Sequence, residues 1–135
     1  MKELMVDAKA ESLRKIKSFV GAELEALDCP EGARQQLFVV IDEIFANIAD
    51  YAYEDGEGSA SIRFETETEP RAIVLTFLDS GFPFNPLTME TPDTSLKARE
   101  RKLGGLGIFM VRKLTDEISY EYADGKNILR IKKQF

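Results

Sequence analysis

Apolar residues in the first half of the chain recur at helical spacing in two stretches, after a short segment, residues 2–6, that could form a strand. The first helix is predicted over residues 10–27 and ends before Pro30, which cannot continue it. The second is predicted over residues 31–51. The apolar positions of the two helices are Leu13, Ile16, Val20, Leu24 and Leu27, then Leu37, Val40, Ile41, Ile44, Phe45 and Ile48.

The second half of the chain shows the shorter periods of strands. Residues 61–65 alternate between apolar and polar, as a half-buried strand does, and residues 72–78 are almost entirely apolar, as a central strand is. A long connection, residues 80–104, precedes an apolar-striped helix over 108–117. Two further strands are then predicted, residues 118–122 and 127–133, joined by the Asp-Gly turn of 123–126.

The predicted order is therefore β-α-α-β-β-connection-α-β-β. A doubly wound parallel sheet would need strands and helices to alternate throughout, and here they do not. We expect an α+β fold: a two-layer α/β sandwich with a mixed sheet and helices on one face. At 135 residues the chain is expected to form a single domain over residues 1–135.

The composition of the chain argues against several classes of function. The net charge is −6 and the pI is near 4.8, which argues against a nucleic-acid-binding face. The chain contains no histidine, so imidazole bases, histidine zinc ligands and phosphoacceptor histidines are excluded. Cys29 is the single cysteine, which fits a reducing cytoplasm. No apolar run approaches the ~18 residues of a membrane span, and no secretion signal is evident.

The second predicted helix carries polar residues that could hold a metal ion. Glu43 and Asn47 are four positions apart, so their side chains share one helix face. A carboxylate and a carboxamide oxygen there could hold water or Mg²⁺ beside a phosphate. The alternative is that these residues, with Asp42 and Asp50, form a solvated face opposite the core.

A second candidate lies where the central predicted strand ends, at Asp79-Ser80-Gly81. The Asp79 carboxylate could accept a hydrogen bond from an exocyclic amino group such as that of adenine. The other interpretation is that Asp and Gly serve turn geometry alone. Phe82 and Phe84, which flank Pro83, could pack the base of the following connection or line the edge of a nucleotide.

A third candidate is the run Gly104-Gly105-Leu106-Gly107 before the last helix. Glycines allow close approach of an anion, and a helix N-terminus offers unpaired N–H groups. The run is neither a Walker motif nor a dinucleotide fingerprint. The preceding connection contains basic residues that could close over phosphates or be a solvated loop: Lys97, Arg99, Arg101 and Lys102.

Taken in order, three segments resemble the N, G1 and G2 boxes of the histidine-kinase-like ATPases, which share the Bergerat nucleotide-binding fold. The segments are EIFAN (43–47), DSGFPFNP (79–86) and GGLGIFMV (104–111). Within that superfamily the chain is most similar, over essentially its full length, to the stand-alone anti-sigma-factor serine kinases.

The resemblance implies the cofactors ATP and Mg²⁺ and a role for each box. Glu43 would be the general base that deprotonates a protein serine, and Asn47 would ligate Mg²⁺. Asp79 would accept the adenine amino group, with Gly81 leaving room for the base, and the segment between Phe82 and Gly104 would form a lid. The implied nucleotide-binding residues are Asn47, Asp79, Gly81, Phe84, Arg101, Gly104, Gly105, Leu106 and Gly107.

The resemblance also implies protein partners, a sigma factor and a STAS-type antagonist that is phosphorylated on serine, and it leaves a homodimer open. Two positions depart from the family: Asp50 stands where many relatives carry a basic residue, and Tyr51 where many carry histidine. The alternative function is an ATP-binding protein that sequesters a partner without phosphorylating it. A third interpretation is a small α+β domain that binds no nucleotide.

Overall fold

The computed structural model of the chain describes residues 1–53, 57–88 and 105–135. The helices are α1 (Leu13–Ala26), α2 (Glu31–Asn47) and α3 (Gly105–Leu114). The strands are β1 (Lys2–Asp7), β2 (Ser59–Thr68), β3 (Arg71–Asp79), β4 (Glu117–Ala123) and β5 (Lys126–Gln134). Short 3₁₀ turns at Ala10–Ser12 and Pro86–Thr88, and a π-helical turn at Ile48–Ala52, complete the described elements.

The strands form one five-stranded sheet in the order β1-β2-β3-β5-β4, and every pairing in it is antiparallel. The α+β class and the sandwich are confirmed, but the expectation of a mixed sheet was wrong. The chain leaves β3, passes through α3 and returns as β4 in the same direction as β3. Because β5 turns back at Asp124-Gly125 and inserts between them, these two parallel strands never pair.

The helices cover one face of this sheet and share a single buried cluster with it. Strand residues such as Ile62, Leu75 and Phe77 meet helix residues such as Ile41 and Val111, all at most 1 % exposed. The opposite face carries charged pairs, including Arg63 with Glu3 on adjacent strands. Alternation along the strands therefore decides which residues face the helices.

The boundaries of the second and third helices differ from the predicted ones. The second helix was predicted to residue 51, but its α-helical part ends at Asn47 and the chain widens into the π-helical turn. The third begins at Gly105 rather than at residue 108, so Gly105 and Gly107 belong to its first turn. It ends at Leu114, after which Asp116 bonds to β5 through its N–H and through its carboxylate.

Part of the predicted connection lies outside the described residues. Of residues 80–104, those up to 88 follow β3 and end in the second 3₁₀ turn. Within the described ranges no helix has both the length and the apolar character needed to cross a bilayer.

Candidate functional site

A pocket opens between α2, the C-terminal end of β3 and the start of α3. Most of its walls are apolar, and its polar groups are contributed by α2 and by three neighbouring strands. The lining residues are Ile44, Asn47, Ile48, Tyr51, Ala52, Phe77, Asp79, Phe82, Phe84, Pro86, Ile108, Tyr120, Asn127 and Leu129. A mainly apolar pocket with a few converging polar groups is the usual form of a small-molecule site.

Asp79 is the acidic group of this pocket. It is the last residue of β3 and is 8 % exposed. Its Oδ1 atom accepts hydrogen bonds from the backbone N–H of Gly81 at 2.9 Å and from Nδ2 of Asn127 at 2.9 Å. No described residue donates to its other oxygen, Oδ2. The carboxylate is therefore held through one oxygen, while the second can accept a hydrogen bond from a ligand.

Asn127 was missed by the sequence reasoning, which treated it as part of a strand. It is 7 % exposed and faces the helices from β5, opposite Asp79 on β3. Its Nδ2 also donates to the carbonyl of Phe82 at 3.0 Å, and its Oδ1 accepts from the N–H of Phe84 at 3.1 Å and from the Tyr120 hydroxyl. The sequence did contain one signal for Asn127: it is a polar residue that alternates with Leu129 and Ile131 and so shares their buried face of the strand.

Tyr120 supports this arrangement from β4. Burial raises the pKa of its phenol, and the nearby Asp79 charge acts in the same direction, against an opposing backbone hydrogen bond at Phe84. The hydroxyl therefore keeps its proton at neutral pH and can donate to Asn127.

The backbone after Asp79 packs tightly on the π-helical turn. The Phe82 N–H donates to the carbonyl of Ala52 at 3.0 Å. A Cβ on Gly81 would overlap that same carbonyl, so only glycine permits this approach. Tyr53 adds a second link, since its hydroxyl donates to Ser59 O at 2.6 Å and accepts from Ser80 N at 2.8 Å.

Glu43 and Asn47 lie one turn apart on α2, and both are partly exposed. Asn47 lines the pocket, whereas Glu43 does not. The Glu43 side chain is directed instead at the first turn of α3, where its Oε2 lies 2.5 Å from the position that a Cβ on Gly107 would occupy. The structure thus brings Glu43 together with Gly107, and Asn47 together with Asp79.

The two departures from the family pattern lie in different places. Asp50 is exposed and does not line the pocket. Tyr51 is part of the lining. Asp42, the neighbour of Glu43, pairs with Lys17 of α1 at 2.6 Å, outside the pocket.

Of the remaining residues predicted from the sequence, some line the pocket, some begin α3 and some lie outside the described residues. Phe82 and Phe84 line the pocket with ring centroids 6.4 Å apart, and both are substantially exposed. Gly105 and Leu106 begin α3. The other predicted residues of this region lie outside the described residues: Lys97, Arg99, Arg101, Lys102 and Gly104.

Comparison with known proteins defines the class. Residues 6–133 match the family model of the histidine kinase-like ATPase domain, and the chain belongs to this family. Within it the chain is similar to the serine-protein kinase RsbW of Halalkalibacterium halodurans, at 23 % identity over 91 % of this chain and 76 % of that protein. RsbW of Bacillus cereus is 24 % identical over 96 % of this chain and 82 % of that protein. The chain is thus an anti-sigma-factor-kinase-like member of the superfamily.

Solved structures agree on the fold. The RsbU and RsbW domains of Rv1364c from Mycobacterium tuberculosis match with a TM-score of 0.64 at 13 % identity, over 99 % of this chain and 32 % of that one. The SiaB–SiaC complex from Pseudomonas aeruginosa matches with a TM-score of 0.61 at 16 % identity, over 98 % and 89 %. At these identities the likeness establishes the Bergerat-type fold alone.

Proposed function

We propose that the chain binds ATP with Mg²⁺ and transfers the γ-phosphoryl group to a serine of a STAS-type partner. The chain would also bind a sigma factor, and whether it does so would depend on the phosphorylation of that partner. One observation carries this proposal: the buried Asp79 carboxylate, at the wall of an apolar pocket in a chain of this ATPase family, has one oxygen still able to accept a hydrogen bond. The kinase names of the relatives support the transfer step.

Asp79 would recognise the base. An adenine amino group is a donor and would bond to Oδ2, whereas the oxo group of guanine presents an acceptor to the same atom. Apolar walls such as Phe77, Ile48 and Ile108 would enclose the faces of the ring, with Phe84 at its edge.

Asn47 and α3 would hold the phosphates. Mg²⁺ takes oxygen ligands and keeps several waters, so it needs few groups from the protein when phosphates supply the rest. The Asn47 carboxamide fits this demand, since it lines the pocket one turn from a carboxylate. Mg²⁺ would neutralise phosphate charge during transfer. The N–H groups of the first turn of α3, at Gly105 and Gly107, with Leu106 between them, are suited to an anion.

Glu43 would accept the proton of the serine hydroxyl. It stands on the same helix as Asn47 and reaches the first turn of α3, beside the proposed phosphate position. None of the described residues donates a hydrogen bond to it, so its oxygens can receive a proton. Arg101 and Gly104 keep the nucleotide-binding roles that the resemblance implies.

Thermal unfolding with ATP, ADP and GTP, each with and without Mg²⁺, tests nucleotide binding. A ligand at a hundredfold excess over Kd stabilises the native state by about 2.7 kcal/mol, which raises Tm by on the order of 10 °C in a chain of this size. We expect this rise with ATP and ADP, a larger one with Mg²⁺, and none with GTP.

The variant Asn47→Ala should lose the part of the rise that depends on Mg²⁺. A wild-type chain that is not stabilised by saturating adenine nucleotide would contradict the proposal. Stabilisation without phosphate transfer to any STAS-type protein would favour the second function, an ATP-binding protein that sequesters its partner.

A further inference from the structure

We infer that Asn127 is a positioning residue for nucleotide recognition: its amide holds Asp79 and the backbone of residues 82–84 so that Asp79 presents only a hydrogen-bond acceptor to the base. This inference rests on the proposed ATP binding. It concerns a residue that no motif of the sequence includes.

The contacts of Asn127 determine which way its amide points. Two donors, the Phe84 N–H at 3.1 Å and the Tyr120 O–H, converge on one end of the side chain. That end must be the oxygen, since an NH₂ group has nothing to accept with. The NH₂ group therefore faces Asp79 Oδ1 at 2.9 Å and Phe82 O at 3.0 Å.

The same contacts use the whole hydrogen-bonding capacity of this side chain. Its two N–H bonds are directed at Asp79 and Phe82, with Gly81 O a longer third neighbour at 3.4 Å, and both acceptor positions of its oxygen are occupied. Asn127 has no group left for a ligand, so it acts on the base through Asp79 and the loop.

The consequence for Asp79 is a defined chemical preference. Donors from Gly81 and Asn127 both meet Oδ1, which fixes the orientation of the carboxylate and leaves Oδ2 as an acceptor. Without these donors the carboxylate could rotate, and Oδ2 would no longer be directed at a fixed point of the base. Asn127 would thereby contribute to discrimination between adenine and guanine, as well as to affinity.

The variant Asn127→Asp tests this directly because it replaces the donor by an ionisable group. The titratable groups that face this position among the described residues are Asp79 from β3 and, from β4, Tyr120 and the cross-strand partner Tyr122. Two carboxylates at this separation cannot both ionise without strong repulsion. When the introduced carboxyl is protonated, its O–H can donate to Asp79 Oδ1 as the amide did.

We expect Asn127→Asp to bind ATP at least about tenfold more weakly than wild type at pH 8, and to approach wild type again near pH 5.5. Calorimetry with ATP and with GTP measures the affinity of the variant and of wild type at each pH. The ratio of the two affinities is compared, because protonation of the nucleotide affects both equally and cancels. The ATP-to-GTP preference should fall at pH 8 by at least about fivefold. A purely structural role would lower affinity for both nucleotides alike.

Tyr120→Phe provides a second test that does not depend on the folding of the first variant. It removes one of the two donors on Asn127 Oδ1 and should weaken ATP binding about three- to tenfold, with a loss of preference over GTP. Tyr122→Phe is the matched control. Tyr122 pairs with Asn127 across the two strands, but its side chain is 46 % exposed and makes no hydrogen bond to Asn127 among the described residues, so the variant should bind as wild type does.

The outcomes separate the two proposals. If wild type binds ATP, and Asn127→Asp and Tyr120→Phe keep its affinity and base preference within about twofold at every pH, the role of Asn127 is wrong. If Asn127→Asp does not fold, the ATP affinity and base preference of Tyr120→Phe are compared with those of Tyr122→Phe, and equal values would likewise mean that the proposed role of Asn127 is wrong. If wild type binds no adenine nucleotide, the proposed function itself is overturned, and the inference with it.

Discussion

At the scale of single residues, Glu43 stands out because its carboxylate lies against Gly107, a residue without a side chain. Its Oε2 occupies space that any residue other than glycine would fill at position 107. The carboxylate thus lies beside the first turn of α3 and outside the pocket that Asn47 lines. A general base, the role proposed for Glu43, would have to reach a hydroxyl of the protein substrate rather than the nucleotide itself.

Glu43→Gln should separate catalysis from binding. The substitution keeps the shape and removes the basic oxygen, so phosphate transfer to a STAS-type partner should fall by about 10²–10⁴ while ATP affinity stays within about threefold. Single-turnover transfer and calorimetry measure the two effects. Asp42→Asn is the matched control, since it makes the same change on the adjacent residue, which pairs with Lys17 away from the pocket. An unchanged transfer rate in Glu43→Gln would remove Glu43 as the base.

At the scale of elements, the π-helical turn connects the two parts of the pocket. It follows Asn47 directly, and its last residue, Ala52, accepts a hydrogen bond from Phe82 beyond β3. A π turn widens the helix and is often found at functional sites. The widening here places the Ala52 carbonyl against Gly81, so the α2 end and the loop after Asp79 are joined through backbone atoms.

Gly81→Ala should break this junction. Its Cβ would overlap the Ala52 carbonyl, and separating the two backbones would cost about 1–3 kcal/mol of stability and weaken ATP binding. Gly32→Ala is the control, because a Cβ there meets nothing within 4 Å and alanine favours the helix by about 0.5–1 kcal/mol. Urea unfolding of both variants gives the comparison. Equal stability of Gly81→Ala and wild type would mean that the junction does not constrain the loop.

At the scale of the whole molecule, charge is the property most relevant to the proposed partners. The chain carries −6 at neutral pH, and a phosphoserine adds about −1.5 to −2 to a partner. Like charges across an interface weaken a complex, so phosphorylation would release the partner and leave the chain able to hold a sigma factor.

The phosphoserine form of a STAS-type protein that binds the chain should therefore bind at least about tenfold more weakly than its serine form. Repeating the titration at about 1 M salt, where the Debye length falls to ~3 Å, should narrow the difference if repulsion causes it. Equal affinities at low salt would exclude this form of partner switching.

Much of the secondary structure could be predicted because hydrophobic period is a local property. Spacing of three and four predicted α1 and α2. Alternation predicted β2, a nearly continuous apolar run predicted β3, and an Asp-Gly turn predicted the last two strands, each within a few residues of the observed bounds. The motifs also indicated Asn47 and Asp79, which the fold brings to one pocket although they are far apart in sequence. The sequence alone was therefore sufficient for the positions of these elements, while the nucleotide-binding roles of Asn47 and Asp79 stay predictions.

Only the tertiary structure decided the rest, because each remaining feature depends on partners distant along the chain. The insertion of β5 between β3 and β4 made the sheet wholly antiparallel, and no local pattern indicates that β5 pairs with β3. The bond from Asn127 to Asp79 joins residues 48 positions apart, and the need for glycine at 81 comes from the carbonyl of Ala52. The hydrophobic period of a helix or strand follows from residues close together in the sequence. Hydrogen-bond partners and close backbone contacts between elements exist only once the elements have packed.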